Sequence, residues 1–420
     1  MAENDNAAES SPGSKIYSLL KGLIAHKASD LHLRAGRPPM YRLNGDIIPA
    51  KMPPFKAEEV KKIAYAAMTQ NQIKEFEMNS QIDFGFVAPG LARFRANVFM
   101  QKSTVAMVIR SVPFQIPQLE VLGLPAIAGD LALRSRGLLL VTGSTGSGKS
   151  TTLAAMIDHI NRNSRSHIVT IEDPIEFVYE DKNSTISQRE LGTDATTMKQ
   201  ALKAALRQDP DVIMIGEMRD YETMSIAITA AETGHLVVST LHTNTASQSI
   251  DRIIDSFPAD AKNQVRLQLA SSLLGVVTQR LVRKADGKGR AVACEILIRS
   301  PSVERLILDD KIADLEEAME SSNTYYHMQS MNQALEKLVR SGVITLNEAL
   351  DNSDRKEDLH LKLSGMEGTK TNGQLPQAEN DVASQTANAA AVDSGLALEK
   401  LEDGGMLKGA GATKRMKKTG

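Results

Sequence analysis

Gly137-Leu138-Leu139-Leu140-Val141-Thr142-Gly143-Ser144-Thr145-Gly146-Ser147-Gly148-Lys149-Ser150-Thr151-Thr152-Leu153 is the stretch that decides the fold. It passes from a short apolar strand through a glycine-rich turn into a helix-forming run. Gly143, Gly148, Lys149 and Ser150 fill every fixed position of the pattern G-x-x-x-x-G-K-[ST]. The glycines let the backbone close around phosphates, so that successive N–H groups point inward as an anion nest. A helix opening near Lys149 adds its positive dipole end. The expected nucleotide-binding residues are therefore Gly143, Ser144, Thr145, Gly146, Ser147, Gly148, Lys149, Ser150 and Thr151. Lys149 is expected on the β- and γ-phosphates of ATP, and the Ser150 hydroxyl on Mg²⁺. The competing reading is a Gly/Ser-rich turn without a ligand. The full match, set between an apolar strand and a helix, favours the nucleotide.

The 420-residue length predicts two or three domains, and an apolar share of 42% is ample for their cores. A formal charge of −2 gives no overall pull toward nucleic acid or anionic lipid. Cys294 is the lone cysteine, which excludes an intrachain disulfide and a multi-cysteine zinc site and fits a reducing compartment. Met1-Ala2-Glu3-Asn4-Asp5 is polar and acidic, unlike a secretory signal. No apolar run approaches the ~18 residues of a spanning helix. The expectation is a soluble, cytoplasmic protein with no direct membrane insertion.

Residues 1–14 read as disordered. From 15 to 112 the pattern predicts an α+β domain. It has a helix through Ile16, Leu19, Leu20, Leu23 and Ile24, a strand at 29–33, and a hairpin over 41–48 turning at Asn44-Gly45. Helices at 57–68 and 70–79 follow, then strands at 82–87, 91–100 and 104–112. Residues 113–129 contain three prolines and read as a linker. From 130 to 365, continuous apolar runs at 138–141, 168–171, 212–215 and 236–241 predict strands buried on both faces. Helical runs at 149–162, 197–207 and 221–233 separate most of them, which implies a mainly parallel sheet with nucleotide at the carboxyl ends of its strands. A second hairpin is predicted from 276–282 and 290–298, and helices continue to about 364. Residues 366–420 hold seven basic and seven acidic side chains and few large apolar ones, the composition of a disordered, solvated tail.

Four clusters carry the candidate chemistry. Glu172 and Asp173 end one strand, and Gly216-Glu217 end another in the form of a Walker B segment, with Gly216 where an Asp commonly stands. A carboxylate at either place can hold the Mg²⁺ water shell or orient the attacking water. The bland alternatives are solvated acidic loops, or helix caps made by Asp173 or Asp220. His235 precedes the strand 236–241 and His242 ends it, where a histidine can sense the γ-phosphate. No cysteine or further histidine stands at zinc-ligand spacing. In the first domain Arg93, Arg95 and Arg110 lie on strands. They are either surface charges or arginine fingers that steady transition-state charge.

In this order, the clusters resemble a secretion-type hexameric ATPase, within the PilT and PilU group of type IV pilus retraction motors. The resemblance rests on the phosphate loop, the acidic box Ile171–Phe177, Gly216-Glu217 and the His235–His242 box. Ser29-Asp30-Leu31-His32 and Ala92-Arg93-Phe94-Arg95 match that family's PAS-like first domain. It covers about 15–364. The resemblance implies a RecA-like ATPase domain, a homo-hexamer, and nucleotide completed by a neighbour's arginines; Arg95 and Arg110 are expected in that role from their position, on strands ending near the linker in the domain without the phosphate loop. It also implies an inner-membrane pilus platform protein as partner, with the protein at the pilus base, and a paralogous retraction ATPase as a possible companion. Extension motors usually carry a four-cysteine zinc motif that this chain lacks. Ser302–Asp310 departs from the A-I-R-N-L-I-R-E stretch of principal retraction motors, and 348–363 is closer to the accessory kind. A nucleic-acid motor is disfavoured because no basic or aromatic-lined channel is evident. A non-hydrolysing scaffold is disfavoured by Lys149, Glu172 and Glu217.

Overall fold

A strand with apolar side chains on both faces must be covered on both, and this requirement shapes the larger half of the chain. The computed structural model describes residues 12–43, 45–112 and 116–364. They form two compact units, 12–111 and 112–364. The segment 1–11 and the tail expected over 366–420 lie outside the described residues.

The first unit begins with helix α1 (Pro12–Ala25) and strands β1 (Asp30–Arg34), β2 (Met40–Leu43) and β3 (Asp46–Pro49). Helices α2 (Ala57–Ala66) and α3 (Gln70–Asn79) precede β4 (Gln81–Ala88), β5 (Ala92–Gln101) and β6 (Thr104–Val112). The six strands form one sheet in the order β3-β2-β1-β6-β5-β4. Alternation places Leu31, Leu33, Tyr41, Met107 and Ile109 in the core with Leu19, Leu20 and Leu23 of α1. Asp30, His32 and Arg34 turn to the other face of β1. Helix α1 starts at Pro12, inside the segment read as disordered. Proline is tolerated in a first helical turn because the N–H it lacks has no intrahelical partner there.

The second unit opens with α4 (Ile127–Ala132), β7 (Gly137–Thr142), α5 (Lys149–Asn163), β8 (His167–Glu172) and β9 (Thr185–Glu190). There follow α6 (Met198–Ala205), β10 (Val212–Ile215), α7 (Tyr221–Glu232), β11 (Leu236–Leu241), α8 (Ala246–Asp255) and α9 (Lys262–Ser272). The hairpin β12 (Leu273–Arg283) and β13 (Arg290–Ile298) completes a seven-stranded sheet, ordered β13-β12-β7-β11-β10-β8-β9. All its neighbours run parallel except β12 and β13. Leu138, Leu140, Val169, Ile171, Ile213 and Ile215 pack into the core under α6 to α9. Their alternates Leu139, Val141, Ile168, Val212 and Met214 pack into a second core with Leu153, Met156 and Ile160 of α5. Each such side chain contributes roughly 1.5–3 kcal/mol when fully buried. Helices from α10 (Pro301–Leu308) onward close the unit. Among them α13 (Met331–Arg340), α14 (Leu346–Asp351) and α15 (Lys356–Ser364) share a small core with Val282 and Ala293.

Two further sequence expectations change. The stretch read as a linker is, from residue 116, part of the second unit: Leu119, Leu124 and Ala128 are buried against α5 and the sheet. Its prolines shape a segment whose leucines still find a core. Strand β9 was not expected, because Thr-Ile-Ser-Gln-Arg-Glu is polar and the strand lies at a sheet edge.

At Gly275 the register of β12 against β7 shifts, and a Cβ built there would stand 2.6 Å from the Leu297 carbonyl oxygen. Gly275→Ala should destabilise the second unit by roughly 1–3 kcal/mol, the usual cost of overpacking. Chemical denaturation checks this, and an unchanged midpoint would show that β13 yields without cost.

Candidate active site

Strand β7 delivers the chain into the loop 143–148 at the carboxyl edge of the sheet. Gly143 and Gly148 have φ of +139° and +92°, a region that side chains resist. A Cβ on Gly143 would lie 2.5 Å from the Gln279 carbonyl oxygen and 2.6 Å from Ser147 Oγ. Ser144, Thr145 and Gly146 are exposed at the crest, Ser147 is buried, and Ser150 and Thr151 are half-buried in the first turn of α5. The backbone N–H groups of that turn have no helical acceptors, which suits an anion.

Lys149 is buried and donates to the Gly143 and Ser144 carbonyl oxygens, both at 2.9 Å. Burial pulls its pKa down, while the carboxylates of Glu217 and Glu176 pull it up. Its Nζ also lies 3.4 Å from His242 Nδ1. An ammonium only donates, so Nδ1 is the acceptor in this contact, and the second ring nitrogen is Nε2. That atom faces Glu217 Oε1 at 3.4 Å. Glu217 Oε2 accepts from Arg219 Nε at 2.9 Å, and Arg219 Nη1 reaches Asp173 Oδ2 at 3.5 Å. Lys149, His242 and Glu217 thus form one line beside the phosphate loop. The Walker B end is fixed from β11, where Ser239 and Thr240 hydroxyls donate to the Ile215 and Gly216 carbonyls at 2.9 and 2.6 Å. A Cβ on Gly216 would lie in ordinary contact with the Ile171 carbonyl oxygen at 3.4 Å.

Glu172 is placed differently. It is buried, accepts from Thr170 Oγ1 at 2.8 Å and Gln188 Nε2 at 3.0 Å, and burial pushes its carboxyl up to about 7. The carboxylate of the acidic box that acts on Lys149 is instead the exposed Glu176. Strand β9 holds this box: Gln188 also donates to the Phe177 carbonyl at 2.9 Å, and Glu190 Oε2 accepts from Ile175 N at 3.0 Å. Gln188 and Glu190 escaped the sequence reading. Their one signal was the alternation Ile186, Gln188, Glu190 within a polar run.

His235 lies at the opposite end of β11, with its N–H and Nδ1 both on the Ala230 carbonyl at 3.1 and 3.0 Å. Asp220 caps α7, accepting from Thr223 N at 2.8 Å. Arg95 and Arg110 belong to the first unit. Arg110 Nε donates to the buried Asp30 Oδ1 at 2.8 Å, its cross-strand neighbour, while Arg95 lies 4.0 Å from Asp83.

The raised carboxyl of Glu172 gives stability a pH dependence. Between the ordinary carboxylate range and about 7 the unfolded chain is ionised while the folded one keeps the proton. Rising pH through that window therefore favours unfolding, and above it the penalty is constant. Glu172→Gln should match the parent near pH 4 and gain on the order of 3 kcal/mol by pH 8. Denaturant titrations at both values check this, and a difference that does not grow with pH would contradict it.

The model of the type II/IV secretion system protein family matches residues 14–392. The type IV pilus retraction ATPase PilT of Pseudomonas aeruginosa is 45% identical over 343 residues, 82% of this chain and 99% of that protein. The type IV pilus ATPase PilU of the same organism is 43% identical, over 83% of this chain and 91% of its own length. The crystal structure of the pilus retraction motor PilT with bound ADP superposes with a TM-score of 0.78 at 46% identity, covering 82% of this chain and 98% of that one. The phosphate loop with Lys149, and the acidic and histidine boxes beside it, thus lie in a chain that aligns with such relatives over nearly their full length. This protein belongs to the type II/IV secretion system family, among its pilus retraction ATPases.

Proposed function

We propose that this chain is the subunit of a homo-hexameric motor that hydrolyses ATP to retract type IV pili. The alignment of Lys149, His242 and Glu217 beside the phosphate loop carries the reading. Mg²⁺ fits the donors present: Ser150, half-buried in the first turn of α5, and Glu217, its side chain about a quarter exposed, offer the oxygen ligands it prefers. When bound, the metal neutralises charge on the phosphates. Lys149 exchanges its loop carbonyls for the β- and γ-phosphates. Glu217 orients the attacking water, and His242 stands where it senses the γ-phosphate. Glu172 shares the site by keeping the end of β8 in place. Arg95 and Arg110 act on nucleotide held by an adjacent subunit, with Asp30 fixing the approach of Arg110.

Hydrolysis changes the angle between the two units, a rigid-body movement handed to an inner-membrane pilus platform protein. The protein works at the cytoplasmic face of that membrane. Among the described residues no helix is long and apolar enough to cross it. The sequence at 302–310 favours a second reading, an accessory motor that works beside a paralogous retraction ATPase. In a strain lacking the protein, hyperpiliation without twitching supports the principal motor, partial loss of retraction force supports the accessory one, and bald cells overturn both. Complementation with Glu217→Gln should fail, with purified turnover down about a hundredfold or more and ATP still bound. Loss of ATP binding itself would show Glu217 to be structural.

The arginines are tested by mixing subunits. Lys149→Ala chains keep their arginines, and Arg95→Ala/Arg110→Ala chains keep a phosphate loop. Mixed rings should exceed the activity of either parent. Mixed rings that form yet regain nothing would confine these arginines to their own subunit.

A further inference from the structure

Gln279 lies on β12 beside β7, one residue past the pair Thr278 and Thr142, whose hydroxyls meet at 2.8 Å. It is almost wholly buried, and its Nε2 donates to the Ser147 carbonyl oxygen at 2.7 Å. That partner only accepts, so the orientation of the amide is settled. Its own Oε1 is buried without a hydrogen-bond partner. An apolar residue would avoid that cost, so packing does not explain an amide here. The same residue meets the loop twice more. Its backbone carbonyl is the atom a Cβ on Gly143 would strike at 2.5 Å, and its Nε2 would stand 3.1 Å from a Cβ on Gly148.

The C=O and N–H of a trans peptide point in opposite directions. Drawing the Ser147 carbonyl toward β12 therefore turns the Gly148 N–H the other way, to the concave side of the loop. We propose that Gln279 is a positioning residue for nucleotide: it fixes the Ser147–Gly148 peptide so that the phosphate nest is formed before the phosphates arrive. The inference rests on the phosphate-loop reading of the site and adds a residue from outside the motif.

The test is ADP affinity by calorimetry on the full chain, with the thermal midpoint of the nucleotide-free protein measured in parallel. Gln279→Met keeps the volume and removes the donor. It should weaken ADP by about tenfold, the worth of one such hydrogen bond, and leave the midpoint within a degree or two. Gln279→Glu keeps the shape and loses the donor only when ionised. Its ADP affinity should fall further at pH 8 and recover toward the parent's as the pH is lowered to 5.5, each value referred to the parent at the same pH. Unchanged affinity in Gln279→Met, or a Gln279→Glu deficit that ignores pH, overturns the proposal. An affinity loss matched by a lower midpoint in both variants also overturns it, because the residue is then merely structural. If the parent itself binds no ADP, the phosphate-loop reading has failed, whatever the variants do.

Discussion

A loop that offers its N–H groups to phosphate must turn carbonyls away from it, and buried carbonyls need donors of their own. Here two side chains supply them. Lys149 caps the Gly143 and Ser144 oxygens from within the motif, and Gln279 caps the Ser147 oxygen from a strand 132 residues away in sequence. The second depends on the parallel register of β7 with β12, which sets Thr142 beside Thr278 and brings the Gln279 backbone against Gly143. The same strand shifts its register against β7 at Gly275, where a Cβ would stand 2.6 Å from the Leu297 carbonyl oxygen of β13. The local motif and the long-range sheet are therefore parts of one constraint.

What could be read in the sequence follows from how local its cause is. The phosphate loop was legible because its glycines, lysine and serine lie within eight residues and each has a task of its own. The parallel strands were legible because burial on both faces leaves continuous apolar runs. Strand β9 was not, since an edge strand half open to water can be polar. With β9 unseen, nothing in Glu172–Glu176 could say which glutamate is buried and which faces Lys149. Their fates are decided by Gln188 and Glu190 on that strand. The stretch 116–129 misled for the opposite reason: prolines mark breaks in regular structure, yet Leu119 and Leu124 show that irregular chain can still be core. Gln279 left no local trace, because its partner comes from another strand's loop.

Beyond the loop, the segment that follows His242 is held by hydroxyls and one carboxylate. Thr243 Oγ1 meets Ser249 Oγ at 2.6 Å, and Ser249 in turn lies 3.5 Å from Thr142 at the root of the phosphate loop. Glu295 of β13 accepts from Ala246 N at 2.6 Å, at the positive end of α8. Arg280, next to Gln279, donates to the Asn352 carbonyl at 2.5 Å and to that of Asn244 at 3.5 Å. The segment that carries His242 is thus tied both to the phosphate loop and to the C-terminal helices.

Perturbed carboxyls are a common guide to catalytic groups, but the guide needs geometry beside it here. Glu172 and Glu295 are both pushed up to about 7 by burial, and in both the oxygens hold neighbouring structure: Thr170 and Gln188 for one, the start of α8 for the other. A carboxylate that must meet water cannot be so enclosed. Glu217 is the reverse case, with its side chain about a quarter exposed and its two oxygens shared between Arg219 and His242. Buried acids on β8 and β13 hold strand ends and loops, and the acid after β10 is open to solvent. Geometry therefore separates the two carboxylates of the sequence reading: Glu172 is enclosed among its hydrogen-bond donors, and Glu217 is the one that water can reach.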